Sequence, residues 1–288
     1  MFTVTKQNGE QEDFSREKLR MSLRRSGVAT WLVDEIIHEV EGKFARKKKL
    51  PTDKLYAFVR EKLQKKSKNA VPRYTIKRSL LTLGPTGFPF EQFLAKIFEA
   101  KGFHARTGQI LQGKCVTHEM DIVAWDEHEL LFIEVKFHNR LKLRSDTKTA
   151  LYIKARMDDL VDTELSYTGP VKKMTQGVLI TNTKFTSSAL KFGLCAGIDM
   201  MSFDYPAKGN LYDLIEETGL HPLTCLNELS KGHKKTLLDN GVITCKILAD
   251  DPKLLDRLNL NRNRRKRVLD EINAICYHTD YDKSQRRS

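Results

Sequence analysis

Apolar positions along the chain change their spacing twice, and the changes divide it. Phe2 to Lys6 alternate, Asn8-Gly9 offer a tight turn, and after Phe14-Ser15 the pair Leu19 and Leu23 recurs at i, i+4, which predicts a hairpin fragment feeding a helix. Leu32, Ile36, Ile37 and Val40 predict a second helix over 31–46. Thr52 can cap a third over 52–65, with Leu55, Phe58, Val59 and Leu63 on one side, and "YTIKRSLLTL" predicts a fourth. The breaker cluster "GPTGFP" at 84–89 then marks a first domain boundary. Beyond it Phe90, Phe93, Leu94, Ile97 and Phe98 form the stripe of a helix over 90–101. Two apolar runs at 118–137 follow, then a helix over roughly 147–160, a strand at 177–181, a helix at 185–192 and a short strand around "IDMMSF". After "DYPAKGN" the pattern is wholly helical, with leucines, isoleucines and valines from Leu223 to Ile272 able to line a compact core. From residue 277 the chain is polar and expected to fray.

The resulting fold class is α/β, in three parts: a mainly α segment over 1–84, an α/β segment over 85–205 and a small α-helical segment over 206–276, with a polar tail at 277–288. The "DNGVIT" turn at 239–244 resembles that of a helix-hairpin-helix unit. Charge adds a partner class to this picture. A net charge of +13 and a pI near 9.4 suggest a polyanion such as nucleic acid or phosphates. No run of about 18 apolar residues predicts a membrane span, and the N-terminus lacks a signal layout, so a cytoplasmic protein is expected. Five scattered cysteines without a C-x-x-C pair encode neither a disulfide framework nor a zinc ribbon, and are read as reduced, mostly core thiols.

The candidate chemistry lies in "HEMDIVAWDEHELLFIEVKF", 118–137, where acidic residues interrupt two apolar runs. If Asp126 to Glu129 form a four-residue loop, Trp125 pairs with Leu130 and the register sets Asp121 opposite Glu134. It also sets Met120, Ile122 and Ala124 with Val135, Ile133 and Leu131 on an apolar opposite face. Like charges facing each other are destabilising unless a cation lies between them, and hard oxygen donors suit Mg²⁺ (or Mn²⁺). Lys136 falls on the same face as Glu134, where an ammonium could stabilise charge building on a phosphate. The same register sets Glu119 opposite Lys136, so a cross-strand ion pair on a solvated face is the alternative.

This D-x₁₂-E-x-K spacing, preceded by a helix carrying Glu91, resembles the PD-(D/E)xK nuclease core, in particular the restriction-endonuclease-like Mrr group, over roughly residues 86–205. Met120 stands where such motifs often have proline. The resemblance implies a mixed sheet, Asp121 and Glu134 as metal ligands, Lys136 as catalytic lysine and Glu91 as an assisting carboxylate. Downstream, Lys148, Tyr152 and Arg156 recur every four residues beside Arg140, Lys142 and Arg144, a row that could track a DNA backbone or be simply a solvated face. His118, His128 and His138 match no zinc spacing and are read as surface or substrate-side residues.

Residues 2–83, with "VTKQNGEQEDFSREKLRMSL", "PTDKLYAFVREKL" and "YTIKRSL", resemble an ATP-cone, a nucleotide-sensing module. The resemblance implies that Val4, Lys6, Glu12, Lys18, Thr52 and Arg78 contact ATP or dATP. No G-x-x-x-x-G-K-[ST] loop is present, so binding rather than hydrolysis is expected; a small basic α domain with solvated lysines is the alternative. The combined expectation is a Mg²⁺-dependent DNA endonuclease whose activity or homo-oligomeric state responds to nucleotide. A nucleotide-responsive DNA-binding regulator without activity, and an RNA-directed nuclease, are the rivals. The basic run "RNRRKR" at 262–267 could add phosphate contacts or be a solvated helix.

Overall fold

Asn8 and Gly9 turn the chain as their types require: Gly9 takes a φ of +87°, which a side chain would resist. The turn joins β1 (Thr3–Thr5) to β2 (Gln11–Asp13) with Val4 opposite Glu12. Ser15 accepts a hydrogen bond from the Lys18 amide and starts α1 (Arg16–Arg25), which α2 (Thr30–Phe44) follows. A strand that the hydrophobic pattern does not predict, β3 (Lys49–Pro51), then adds to the free edge of β1 in parallel, Leu50 beside Val4. With one buried residue among lysines it has no alternation to read. α3 (Thr52–Lys66) and α4 (Val71–Leu80) complete the segment, around a core that includes Phe2, Phe14, Leu23, Ile36, Leu50 and Leu63. The coordinates are a computed structural model and describe residues 2–171 and 173–276; the polar tail read at 277–288 lies outside the described residues.

α5 (Phe88–Ala100) buries Phe90, Phe93, Leu94 and Ile97 completely, as its stripe predicts. The strands β4 (His104–Gln112), β5 (Thr117–Trp125) and β6 (Leu130–Lys136) run antiparallel in succession. Next come β7 (Arg144–Ser145), α6 (Thr147–Leu160), β8 (Gln176–Thr181), β9 (Lys184–Phe185), α7 (Ser187–Cys195) and β10 (Ile198–Met201). Five of these strands form one mixed sheet in the order β10-β8-β6-β5-β4, in which β6, β8 and β10 are parallel, while β7 and β9 pair separately. α5 covers the face of Ile122, Ala124, Leu131 and Ile133. α6 and α7 cover the other, with Val123, Phe132, Leu160 and Met157. β6 is therefore a central strand buried on both sides, a poor place for an acid without a purpose.

Packing runs across both expected boundaries. Ile76, Leu80 and Leu83, from α4 and the residues after it, belong to the same apolar cluster as Phe90 and Phe93, so "GPTGFP" is a turn between packed helices and not an edge of the core. α8 (Leu211–Thr218) likewise gives Leu211, Tyr212 and Ile215 to that cluster, although the sequence groups it with the last segment. Only from Leu223 does a separate core form, under α9 (Lys231–Asp239), α10 (Cys245–Asp250) and α11 (Arg262–Cys276). Composition marks the breakers, but amphipathic faces decide what they separate. Cysteine placement also departs from expectation. All five are free, but Cys115 is exposed in the β4–β5 loop and Cys195 at the end of α7, and only Cys225 and Cys245 are buried. No described helix is long and apolar enough to cross a membrane.

Candidate active site at the end of the central sheet

The β5–β6 loop forms as its acidic residue dictates: Asp126 accepts from the amides of His128 and Glu129 at 2.8 and 2.7 Å, and Trp125 pairs with Leu130. The ladder continues through Val123–Phe132 to Ile122–Ile133, the register expected from sequence. There the backbone pairing ends, and the Asp121 side chain takes over: its Oδ2 accepts from the Val135 amide at 2.7 Å, beside the Glu134 peptide. Met120 corrects one expectation. It packs with Leu111, Val123 and Phe132 on the α6 side and not with Ile122 and Ile133. The neighbouring strand bends here, with Gly108 at a φ of +60° between the Thr107–Ile122 and Gln109–Met120 pairs.

Three carboxyls are held together against their charge. Burial, then the Asp121 charge, push Glu134 up to about 8, and Arg156 and Lys136 only partly offset this. Burial, then Asp121 and Glu119, push Glu91 up to about 7. Asp121 is raised by burial, with the Val135 amide and Arg156 pulling the other way. Glu91 stands in the first turn of α5, where Gly87 leaves it room: a Cβ there would lie 2.9 Å from its Oε1.

Arg156 is not on the solvated row that its spacing suggests. It turns inward from α6, Nη1 2.6 Å from Glu134 Oε1, while Nη2 donates to the Glu119 carbonyl. The approach to Glu134 is out of line for a hydrogen bond, so Glu134 Oε1 and Arg156 Nε are both buried without a hydrogen-bond partner. Arg140, Lys148 and Tyr152 do remain exposed. Lys136 is exposed at the end of β6, with no acidic group at ion-pair distance among the described residues, and the alternative Glu119–Lys136 pair does not form.

An open cleft of about 600 Å³ lies over this region, lined by Thr86, Gly87, Phe88, Glu91, Thr117, His118, Glu119, Asp121, Tyr152 and Arg156. Neither Glu134 nor Lys136 lines it. Sequence reasoning missed Phe88 and the inward role of Arg156, and weighed Glu119 only as an ion-pair partner of Lys136; only the three-residue interval from Phe88 to Glu91 could have hinted at the first. His118 lines the cleft and its Nε2 is 2.8 Å from Asp159 Oδ2. Among the described residues no three His, Cys, Asp or Glu side chains gather as a ready metal site. Two carboxylates nevertheless fit Mg²⁺, which keeps much of its water, and Glu134 Oε1, ion-paired with Arg156 but without a hydrogen bond, is a hard donor of the right kind.

In the N-terminal segment, five of the six expected nucleotide-contact residues gather near the end of β1. Lys6 is 3.1 Å from Glu12, which is 2.8 Å from Lys18, and the Thr52 hydroxyl donates to the Thr5 carbonyl at 3.1 Å. Arg78 pairs with Asp53 and lies 3.9 Å over the Tyr56 ring; neither partner was singled out in the sequence. Val4 corrects the expectation: its side chain is in the core and it sits mid-strand in β1 between Glu12 of β2 and Leu50 of β3, so it is not presented to a ligand with the others.

Comparison with known proteins adds relatives without described roles. The family described as AF1548-like, C-terminal matches residues 221–276, which begins close to where the separate helical core does. An uncharacterized protein of Archaeoglobus fulgidus is 32% identical over 185 residues, 63% of this chain and 99% of that protein. The crystal structure of AF1548, a protein of unknown function, is 31% identical with a TM-score of 0.52, over 66% of this chain and 98% of that one. The MspJI restriction endonuclease in complex with a 27-mer oligonucleotide is 13% identical with a TM-score of 0.33, over 71% of this chain and 40% of that one, too distant to carry an argument.

Proposed function

We propose that this chain, which belongs to the AF1548-like family, is a metal-dependent DNA endonuclease of the PD-(D/E)xK type, responsive to ATP or dATP through its N-terminal segment. The observation that carries the reading is the open end of the β5–β6 hairpin: two carboxyls, Asp121 and Glu134, crowd together near the end of a buried central strand, with Lys136 on the same face as Glu134. Asp121 and Glu134 are the residues that would hold Mg²⁺ or Mn²⁺. Bound there, the ion would act as a Lewis acid on the phosphate and make its water a better nucleophile. Lys136 brings a compact positive charge to a phosphate oxygen as negative charge grows on it. Glu91, a carboxyl lining the same cleft as Asp121, can take a proton from an attacking water or return one. Tyr152 lines the cleft, and the exposed Arg140 and Lys148 would meet the backbone of a bound strand.

Incubation of supercoiled plasmid with the full chain and Mg²⁺ tests this. Cutting is expected from the native chain, and Glu134→Ala and Lys136→Ala are expected to lose it by more than about a hundredfold while still binding DNA. Titration calorimetry of the full chain with ATP and dATP tests the nucleotide claim; heat lost in Lys6→Ala supports it, and no heat removes it. Arg156 favours a second reading. Its guanidinium already supplies a positive charge beside Glu134, so a DNA-binding regulator without activity is the outcome if no form cuts.

A further inference from the structure

Two rings at the mouth of the acidic cleft have no part in the chemistry described above. Phe88 opens α5 three residues before Glu91 and is 52% exposed, although Phe90 and Phe93 on the same helix are completely buried. Tyr152 stands on α6 one turn before Arg156 and is 62% exposed. Both line the cleft that Glu91 and Asp121 also line. A single exposed ring on a surface is ordinary. Two on different helices, lining one cleft with the same carboxyls, are not explained by packing. The Arg156 guanidinium lies 5.6 Å from the Tyr152 ring centroid, and most of that ring still faces water.

We infer that Phe88 and Tyr152 are base-stacking platforms, and that the cleft takes nucleic acid whose bases are unpaired next to the reacting phosphate: single strands, or single-stranded tails and gaps in a duplex. The inference rests on the nuclease reading of the cleft. An apolar ring gains little from a phosphate, and a paired duplex keeps its base faces stacked inside itself, offering a protein mainly backbone and groove edges. An unpaired base presents a π face that any aromatic side chain can cover, whatever the sequence. The surroundings suit such a strand. Lys148 lies one turn before Tyr152 and is exposed, and Arg140 and Lys142 are exposed in the segment leading into α6, so cations for the backbone adjoin a ring for the bases.

Fluorescence anisotropy of the full chain, in chelator so that nothing is cut, reads this directly. The probes are a short labelled single strand and the same sequence as a blunt duplex. The native chain is expected to bind the single strand more tightly. Phe88→Ala and Tyr152→Ala are each expected to weaken single-strand binding about tenfold and duplex binding by less than about twofold, with Tyr152→Phe close to native. Because both rings are exposed, thermal midpoints should not move. Equal losses on both probes, no loss on either, or a native preference for duplex would overturn the inference. If the native chain cuts nothing with Mg²⁺ while the ring variants still lose single-strand affinity selectively, the nuclease reading falls and the stacking platforms stand.

Discussion

At the scale of single residues the crowding of carboxyls has a consequence in pH. In the folded chain Glu134 is raised to about 8 and Glu91 to about 7, whereas unfolded glutamate titrates at about 4.3. Between these values the folded chain holds protons that the unfolded chain has released. Their contribution to stability is therefore complete below about pH 4 and is lost as pH rises through about 7 and 8. In chelator, the thermal midpoint is expected to fall between pH 5 and pH 8, by a loss on the order of 4 kcal/mol from Glu134 alone. Glu134→Gln, which cannot ionise, should flatten most of that slope, and Glu91→Gln part of it. Slopes unchanged in both variants would mean that the carboxyls are better solvated than their burial implies. A metal ion should reverse the trend, because it binds the ionised form and tightens as pH rises.

At the scale of elements, one close contact can be tested alone. β8 passes beneath α6 at Gly177, where a Cβ would lie 2.1 Å from Met157 Sδ, and Met157 is itself buried. Gly177→Ala is expected to cost about 1–3 kcal/mol in chemical denaturation, and Met157→Ala in the same chain should recover part of it, a coupling that independent sites would not show. What the sequence reveals follows from the same physics. α5 and the β5–β6 register were legible because their apolar residues recur with a helix's or a strand's period. β4 was not, since "HARTGQILQ" fully buries only Leu111 and holds its position by eight residues of backbone pairing, which leaves no hydrophobic trace. Asp121 and Glu134 could be read as neighbours once the loop length was known. Arg156 could not be read as their partner, because helix spacing tells which residues share a face but not which sheet that face meets.

At the scale of the molecule the charge of +13 predicts a polyanion, but only part of it is free to meet one. Much of the basic surface is already paired: Lys6 and Lys18 with Glu12, Lys66 with Glu35 and Glu39, Arg265 with Asp256, Arg267 with Glu228. The run at 262–267, which sequence alone offers as a phosphate contact, is thus largely engaged within the C-terminal core. Even Arg144 reaches across to Glu10 of the N-terminal hairpin at 3.2 Å, tying the first segment to the loop that follows Lys136. Arg140, Lys142 and Lys148 are among the exposed cations in none of these pairs, and they lie in or just before α6, which carries Tyr152 into the cleft lining. If three phosphates of a single strand meet these three cations, the logarithm of the binding constant should fall against the logarithm of salt concentration with a slope of about −2. Lys148→Ala should then make that slope shallower by about 0.7. Phe88→Ala should weaken binding at every salt concentration and leave the slope alone, since a stacked ring releases no counterions. A much steeper native slope, unaltered by Lys148→Ala, would move the DNA path away from α6 and toward cations that the ion pairs leave available elsewhere.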